Sequence, residues 1–176
     1  MKKLSLYLLI ILALLAFAGV ASASTPESKN FVATLSGAEE VPTRDTQARG
    51  VAIFHLSEDE TALSYQLIVA NIDNVFAAHI HCGAPGVSGP VGVTLFSGAP
   101  GSGRFDGVLA QGVITAPNPG NACGWTTLDE VIAAMRSGDT YANVHTNDGV
   151  EPPNTGPGDF PGGEIRGQIR EAGPTQ

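Results

Sequence analysis

Basic residues are scarce in this 176-residue sequence, in which 9 Lys and Arg stand against 17 Asp and Glu, giving a formal net charge of −8 at pH 7. Such an excess of negative charge repels nucleic-acid phosphates and anionic lipid headgroups. Nucleic acid is therefore not an expected partner. The acidity is explained by solubility, and it could also attract cations to the surface.

The sequence also lacks the short motifs of common hydrolases and nucleotide-binding proteins. It contains no Gly-x-Ser-x-Gly nucleophile elbow, no phosphate-binding P-loop and no His-Glu-x-x-His helix. Acid and base roles could be filled by the neighbours Glu39 and Glu40, and Glu164 near Arg166 offers another pair. Surface or strand-end positions explain these carboxylates equally well, so no catalytic residue is predicted.

One long apolar run is present, over residues 6–20, and it follows Lys2 and Lys3. Directly after it comes Ala21-Ser22-Ala23, the small-x-small pattern that signal peptidase cleaves. We therefore predict a secretory signal peptide over residues 1–23, with an uncleaved anchor as the alternative. No second apolar run follows, so we expect no membrane span after cleavage and a secreted, periplasmic or cell-envelope location.

Cysteine is rare as well, since the sequence contains two, Cys82 and Cys123. Two cysteines allow one intramolecular pairing, and export to an oxidising compartment favours it. We predict a Cys82–Cys123 disulfide with its α-carbons within about 7 Å of each other, closing a loop of about 40 residues. A pair of buried free thiols is the alternative.

The length that remains after signal cleavage suits one domain with one core. Polar residues predict a flexible lead at 24–29 and a flexible tail at 171–176, leaving a domain over residues 30–170. Within it, alternating apolar and polar residues between turn-forming residues predict strands near 30–36, 49–57, 62–70, 75–82, 91–96, 105–115, 140–146 and 163–170. Eight short strands indicate an all-β sandwich or barrel.

One segment departs from the strand pattern and predicts a short helix over residues 128–137. Its apolar residues recur at helical spacing, and they are Leu128, Val131, Ile132 and Met135. Thr127 and Glu130 are placed to form a capping box, and Gly138 can end the helix in a left-handed conformation. Core packing explains the apolar stripe.

Three of the four histidines lie in two strands of similar pattern, VFAAHIHC at 75–82 and TYANVHT at 140–146. Residues two apart in a strand point to the same face, so His79 and His81 project together while His145 projects from the second strand. The intervening apolar residues suit the core, which places all three imidazoles on outer faces. His55, between two apolar residues, is expected to face solvent elsewhere.

These three imidazoles could converge on one metal ion, because adjacent strands lie about 4.8 Å apart and metal–nitrogen bonds are about 2 Å long. Three nitrogen ligands suit copper or zinc. With reference pKa values near 6.5, metal affinity is expected to fall steeply below about pH 6. Hydrogen bonding of surface histidines across the two strands is the alternative.

Four blocks of sequence, in order, resemble the signature motifs of the CHRD (chordin-repeat) domain. They are LSGAEEVP at 35–42, AAHIHCGAPGVSGPV at 77–91, TYANVHT at 140–146 and PGGEIRGQI at 161–169. The family takes its name from chordin, an extracellular binder of growth factors. The resemblance therefore implies, as one alternative, a non-catalytic module that presents loops such as 83–90 and 147–161 to an extracellular protein or glycan.

A weaker resemblance is to copper/zinc superoxide dismutase. It lies in the order His-x-His, a Gly/Pro-rich loop, a strand ending in Val-His and a Gly-Gly turn into a final strand. This resemblance implies an eight-stranded Greek-key barrel with His79, His81 and His145 as copper ligands. The bridging histidine and the zinc loop of that family have no counterpart, and Glu164 lies near the place of its guiding arginine, so dismutase activity is a second alternative.

Together, these features predict an exported all-β CHRD-domain protein that binds a single copper ion, or zinc, through His79, His81 and His145. The expected use is metal storage, delivery or redox buffering. The acidic balance argues against attracting an anion such as superoxide to a copper-only enzyme.

Overall fold

Nine strands, one α-helix and one short 3-10 helix (Gly37–Glu39) lie in residues 27–173, the part of the chain that this computed structural model describes. The predicted signal peptide, residues 24–26 of the predicted lead and residues 174–176 of the predicted tail lie outside the described residues. At the edges of the described part, Ser28 Oγ donates a hydrogen bond to the Ala172 carbonyl at 3.2 Å. The two ends of the domain therefore meet.

The strands are β1 (Asn30–Ser36), β2 (Arg49–Leu56), β3 (Leu63–Asp73), β4 (Val75–Cys82), β5 (Val91–Ser97), β6 (Arg104–Ile114), β7 (Thr140–Thr146), β8 (Ile165–Gln168) and β9 (Arg170–Glu171). All eight predicted strands are present. The last one differs, because the segment predicted at 163–170 is divided into β8 and β9. Its two parts pair with different neighbours, since β8 pairs with β7 and β1, whereas β9 pairs with β1.

The strands form an antiparallel, nearly closed barrel with the order β5-β4-β7-β8-β1-β2-β3-β6. Three pairs of neighbours are not consecutive in the chain, namely β4–β7, β8–β1 and β3–β6. After β3 the chain forms the neighbouring strands β4 and β5, and it then returns to place β6 beside β3. This connection is a Greek key. The predicted all-β Greek-key barrel with one short helix is confirmed.

The alternation of side chains along each strand determines which residues fill the barrel interior. Alternate residues of β1, Phe31, Ala33 and Leu35, are fully buried, and the same alternation buries Ile80 on β4 and Val144 on β7. Aliphatic and aromatic side chains fill this interior, and their removal from water is the main stabilising contribution to the fold. The other face of β4 and β7 remains available for polar side chains.

The helix α1 (Leu128–Ser137) has the predicted bounds and caps. Thr127 Oγ1 accepts from the Glu130 backbone N–H while the Glu130 carboxylate accepts from the Thr127 N–H, which completes the capping box. Gly138 ends the helix in the left-handed region with φ of 77°. Within residues 27–173, no helix is long and apolar enough to cross a membrane.

Candidate metal centre

The two strands that carry the histidines are hydrogen-bonded neighbours. Strands β4 and β7 pair so that His79 lies opposite Asn143 and His81 opposite Tyr141. His145 lies two residues beyond Asn143 on the same face of β7. One nitrogen from each of the three imidazoles lies within 4.8 Å of the other two. The predicted convergence of the three histidines is confirmed. His55 lies apart on β2, exposed and donating a hydrogen bond to Asn30 Oδ1 at 2.8 Å.

The histidine cluster is buried, which the sequence did not predict. His81 and His145 are each only 7 % exposed, and His79 is half-buried. The alternation correctly placed the imidazoles outside the barrel interior, and their burial argues against the alternative of surface histidines. Gly89 of the segment 83–90 and Pro161 of the turn at 160–163 contact the two most buried rings.

These two segments also orient the imidazole rings. His81 Nδ1 lies 2.9 Å from the carbonyl oxygen of Gly89, and His145 Nδ1 lies 3.0 Å from that of Pro161. A carbonyl oxygen can only accept, so each Nδ1 carries the proton and each Nε2 has a free lone pair. The two Nε2 atoms face each other at 3.4 Å. Both histidines are therefore held in the tautomer that a metal ligand requires.

The third histidine has an unpaired nitrogen in the buried part of the cluster. His79 Nδ1 is inaccessible to solvent and has no hydrogen-bond partner among the described residues. Its ring centroid lies 5.5 Å from that of His81 and 5.0 Å from that of His145. A buried nitrogen without a partner is unfavourable unless a ligand or water satisfies it.

Burial keeps the three imidazoles neutral. It lowers the pKa of His79 and of His145 to about 4, and in each case a neighbouring imidazole adds to the effect. The pKa of His81 is also lowered, mainly by burial. At His79 and His145, protons should therefore compete with a metal mainly near pH 4 and not from about pH 6 downward, as the reference values suggested.

Tyr141 and Arg166 form a stack behind His81. The Tyr141 ring lies parallel to the His81 ring, with centroids 4.8 Å apart and an interplanar angle of 10°. The guanidinium of Arg166 lies 3.5 Å from the centroid of the Tyr141 ring. Tyr141 Oη accepts from the Gly89 N–H at 3.0 Å and lies 3.2 Å from the Gly89 carbonyl, to which it can donate. These contacts restrict rotation of the His81 ring. The one sequence signal for them is that Tyr141 lies four residues before His145 and therefore on the same face of the strand.

The carboxylates considered in the sequence have separate roles. Glu39 is exposed. Glu164 is fully buried and accepts from Thr46 Oγ1 at 2.6 Å, Thr146 Oγ1 at 2.7 Å and the Gly158 N–H at 2.8 Å. With both of its oxygens engaged, Glu164 anchors the loop before β8 and is not free for acid–base chemistry.

Glu40, for which a surface or strand-end position was one interpretation of the sequence, is buried. It is 6 % exposed, and burial raises its pKa to about 7 despite the charges of Arg166 and Arg44. Its Oε1 and the Oδ1 of Asn143 are buried without partners among the described residues, and each would lie 2.6 Å from a side-chain carbon placed on Gly163. Glycine at position 163 therefore makes room for these two side chains beside the centre.

The predicted disulfide is present beside the centre. Cys82 and Cys123 are bonded, with α-carbons 5.8 Å apart, which confirms the prediction. Cys82 directly follows His81, and the two sulfur atoms lie 3.8 and 3.4 Å from the carbonyl oxygen of Pro90. The bridge therefore secures the end of β4 together with the end of the segment that carries Gly89.

Replacing Gly89 with alanine is expected to destabilise the fold by about 1–3 kcal/mol. A Cβ at this position would overlap the backbone carbonyl oxygen of Cys82, so the segment that orients His81 would have to move. Gly162→Ala is the matched control, because its Cβ would meet only Arg44 Nη2 at 3.7 Å. Urea denaturation should separate the two variants, and equal stability would contradict the role given to Gly89.

The metal-free protein is expected to lose stability as pH falls below about 6.5. In the unfolded chain imidazoles titrate near 6.5, whereas His145 in the folded protein has a pKa of about 4. Between these values the unfolded chain binds more protons, so this stabilisation is complete above pH 6.5 and is lost as pH falls to about 4. His145→Asn should remove on the order of 2 kcal/mol of this pH dependence.

Urea unfolding at about pH 7 and about pH 4.5 measures this effect in the two proteins. The comparison with the variant is necessary, because Glu40 acts in the opposite direction over the same range. Its raised pKa, about 7 in the folded protein, gives stability that is lost as pH rises. An unchanged pH dependence in His145→Asn would show that this imidazole is not buried in its neutral form.

Comparison with known proteins identifies the family of this chain. Comparison with curated proteins and with solved structures found no significant match. Residues 31–169, which include all three histidines and both cysteines, match the CHRD domain. The chain therefore belongs to the CHRD domain family.

Proposed function

We propose that this protein binds one transition-metal ion, preferably copper, through His79, His81 and His145. The observation that carries the proposal is the set of three imidazoles, two buried and one half-buried, with one nitrogen each within 4.8 Å of the others. Nε2 is the available atom of His81 and of His145, and the unpaired Nδ1 of His79 is the candidate atom of the third ligand. Bound metal would satisfy that nitrogen and supply Lewis-acid or one-electron chemistry to the site.

The donor set favours copper over the hard cations. Imidazole nitrogens suit Cu and Zn, whereas Ca and Mg prefer oxygen ligands, and at comparable geometry Cu(II) binds more tightly than Zn(II). Zinc is the alternative, because the metal supplied by the compartment can override this order. The disulfide supports a location outside the cytoplasm, so storage, delivery or redox buffering of copper in a secreted or envelope protein is the use we propose.

Metal titration of protein purified without an affinity tag tests this proposal. Copper should bind with a stoichiometry of one, more tightly than zinc, and neither calcium nor magnesium should displace it. Histidine ligation should also give nitrogen couplings in the electron paramagnetic resonance spectrum of the Cu(II) form. A wild-type protein that binds no copper would leave the extracellular protein- or glycan-interaction module as the better hypothesis.

A copper-only superoxide dismutase-like enzyme is the second candidate. Its support is that three protein ligands leave a coordination position for substrate, as in catalytic sites. The net charge of −8 opposes attraction of an anion, so we place metal binding without catalysis first. A superoxide assay on the copper-loaded protein, with the metal-free protein as control, distinguishes the two.

A further inference from the structure

The outer face of strands β1, β2, β3 and β6 carries no charged side chain across three consecutive rows of the sheet. The cross-strand register aligns Val32, Ile53, Gln66 and Gln111 as the middle row. The rows on either side of it contain Val, Ile, Ser, Thr, Asn and His, and no Asp, Glu, Lys or Arg. Charged residues make up 15 % of the sequence, so a four-stranded surface without them is unusual for this chain.

Half of this uncharged face is aliphatic. The aliphatic side chains are Val32, Val51, Ile53, Ile68, Val108 and Val113. Three of them are large and exposed, since Ile53 is 45 %, Val108 47 % and Val113 63 % accessible to solvent. Charges begin only at the rim, where Arg49 extends β2 and Arg170 of β9 lies beside Val32. An apolar centre depleted of charge within a polar rim is the composition of a protein interface.

The net charge of the protein indicates where a second copy of the chain could bind. Two copies, each with a net charge of −8, repel each other over most of their surfaces, and the repulsion is smallest where neither surface carries charge. The middle row is also self-complementary, because amides both donate and accept. Gln66 Nε2 lies 3.4 Å from Gln111 Oε1, and the remaining donors and acceptors of this pair can meet the same pair of a second copy across a two-fold axis.

We propose that the uncharged face of β1, β2, β3 and β6 is the interface of a homodimer formed by face-to-face packing of the two sheets. The occupant is a second copy of this chain, in an isologous arrangement that buries Ile53 near its centre. The metal centre is built on β4 and β7 with the loops above them, so the dimer does not rest on metal binding. Either proposal can fail without the other.

The oligomeric state of the tag-free mature protein tests the interface. Light scattering after size-exclusion chromatography and sedimentation equilibrium, over a wide concentration range, should show a dimer. Ile53→Glu should raise the dimer dissociation constant by on the order of 100-fold or more, because each dimer would have to bury two carboxylates. Val108→Lys, which introduces the opposite charge on another strand, should act in the same direction.

Val87→Glu and Val150→Glu are the matched controls, since these valines are 53 % and 65 % exposed and lie in loops outside the face. Both controls should remain dimeric. Circular dichroism and urea denaturation verify that each variant is folded, and a folded monomeric Ile53→Glu supports the interface. A wild type that is monomeric at every concentration, or a dimer that neither Ile53→Glu nor Val108→Lys weakens, would overturn the proposal.

Discussion

His145→Ala is expected to lower copper affinity by on the order of 100- to 1000-fold, because it removes one of the three nitrogen ligands of the metal site. His79→Ala and His81→Ala should have effects of the same size. The three imidazoles converge within 4.8 Å, and burial lowers the pKa of each, to about 4 for His79 and His145, so the neutral form that binds metal is favoured near neutral pH. Titration in competition with a chelator of known affinity measures the change in dissociation constant.

His55→Ala provides the matched control, since His55 lies on β2 and is hydrogen-bonded to Asn30 away from the cluster. It should bind copper as the wild type does. Because carboxylates and these buried histidines titrate in a similar pH range, pH dependence alone would not separate the two kinds of ligand. The variants do separate them, and equal copper affinity in all five proteins would refute the histidine site.

Removal of the disulfide in Cys82→Ala/Cys123→Ala is expected to lower the free energy of unfolding by about 4 kcal/mol. The bridge joins residues 41 positions apart, and the unfolded chain gains the corresponding conformational entropy when it is cut. A loss of this size is a large fraction of the stability of a small domain. Urea denaturation of the oxidised wild type and of the double variant measures it.

The same variant should weaken copper binding by roughly 10-fold or more, an effect typical of losing a group that positions a ligand. The reason is the position of the bridge, which follows His81 directly and lies beside the segment carrying Gly89. Reduced wild-type protein is the control for stability alone, because it breaks the bridge without changing the side-chain volume, whereas its free thiols would bind and reduce copper. Unchanged stability of the double variant would contradict the stabilising role of the bridge, and unchanged affinity would separate it from the metal centre.

Much of the fold could be predicted because its signals are local. Alternation of apolar and polar residues determines which side chains enter the barrel, and this determined the eight strands and placed His79 and His81 on one face. The capping box of Thr127 and Glu130 and the left-handed Gly138 are likewise decided by a few adjacent residues. The disulfide could be predicted because two cysteines allow a single intramolecular pairing.

The sequence by itself thus determined the strands, the helix, the disulfide and the face that each histidine occupies. The tertiary structure alone decided that β4 and β7 are neighbours, that the histidines are buried, and that Gly89 and Pro161 select their tautomers. Local periodicity carries no information about such contacts, because His81 and His145 are 64 residues apart and meet only through strand pairing. Burial then lowered the pKa of the imidazoles and raised that of Glu40, since desolvation depends on which distant segments cover a side chain.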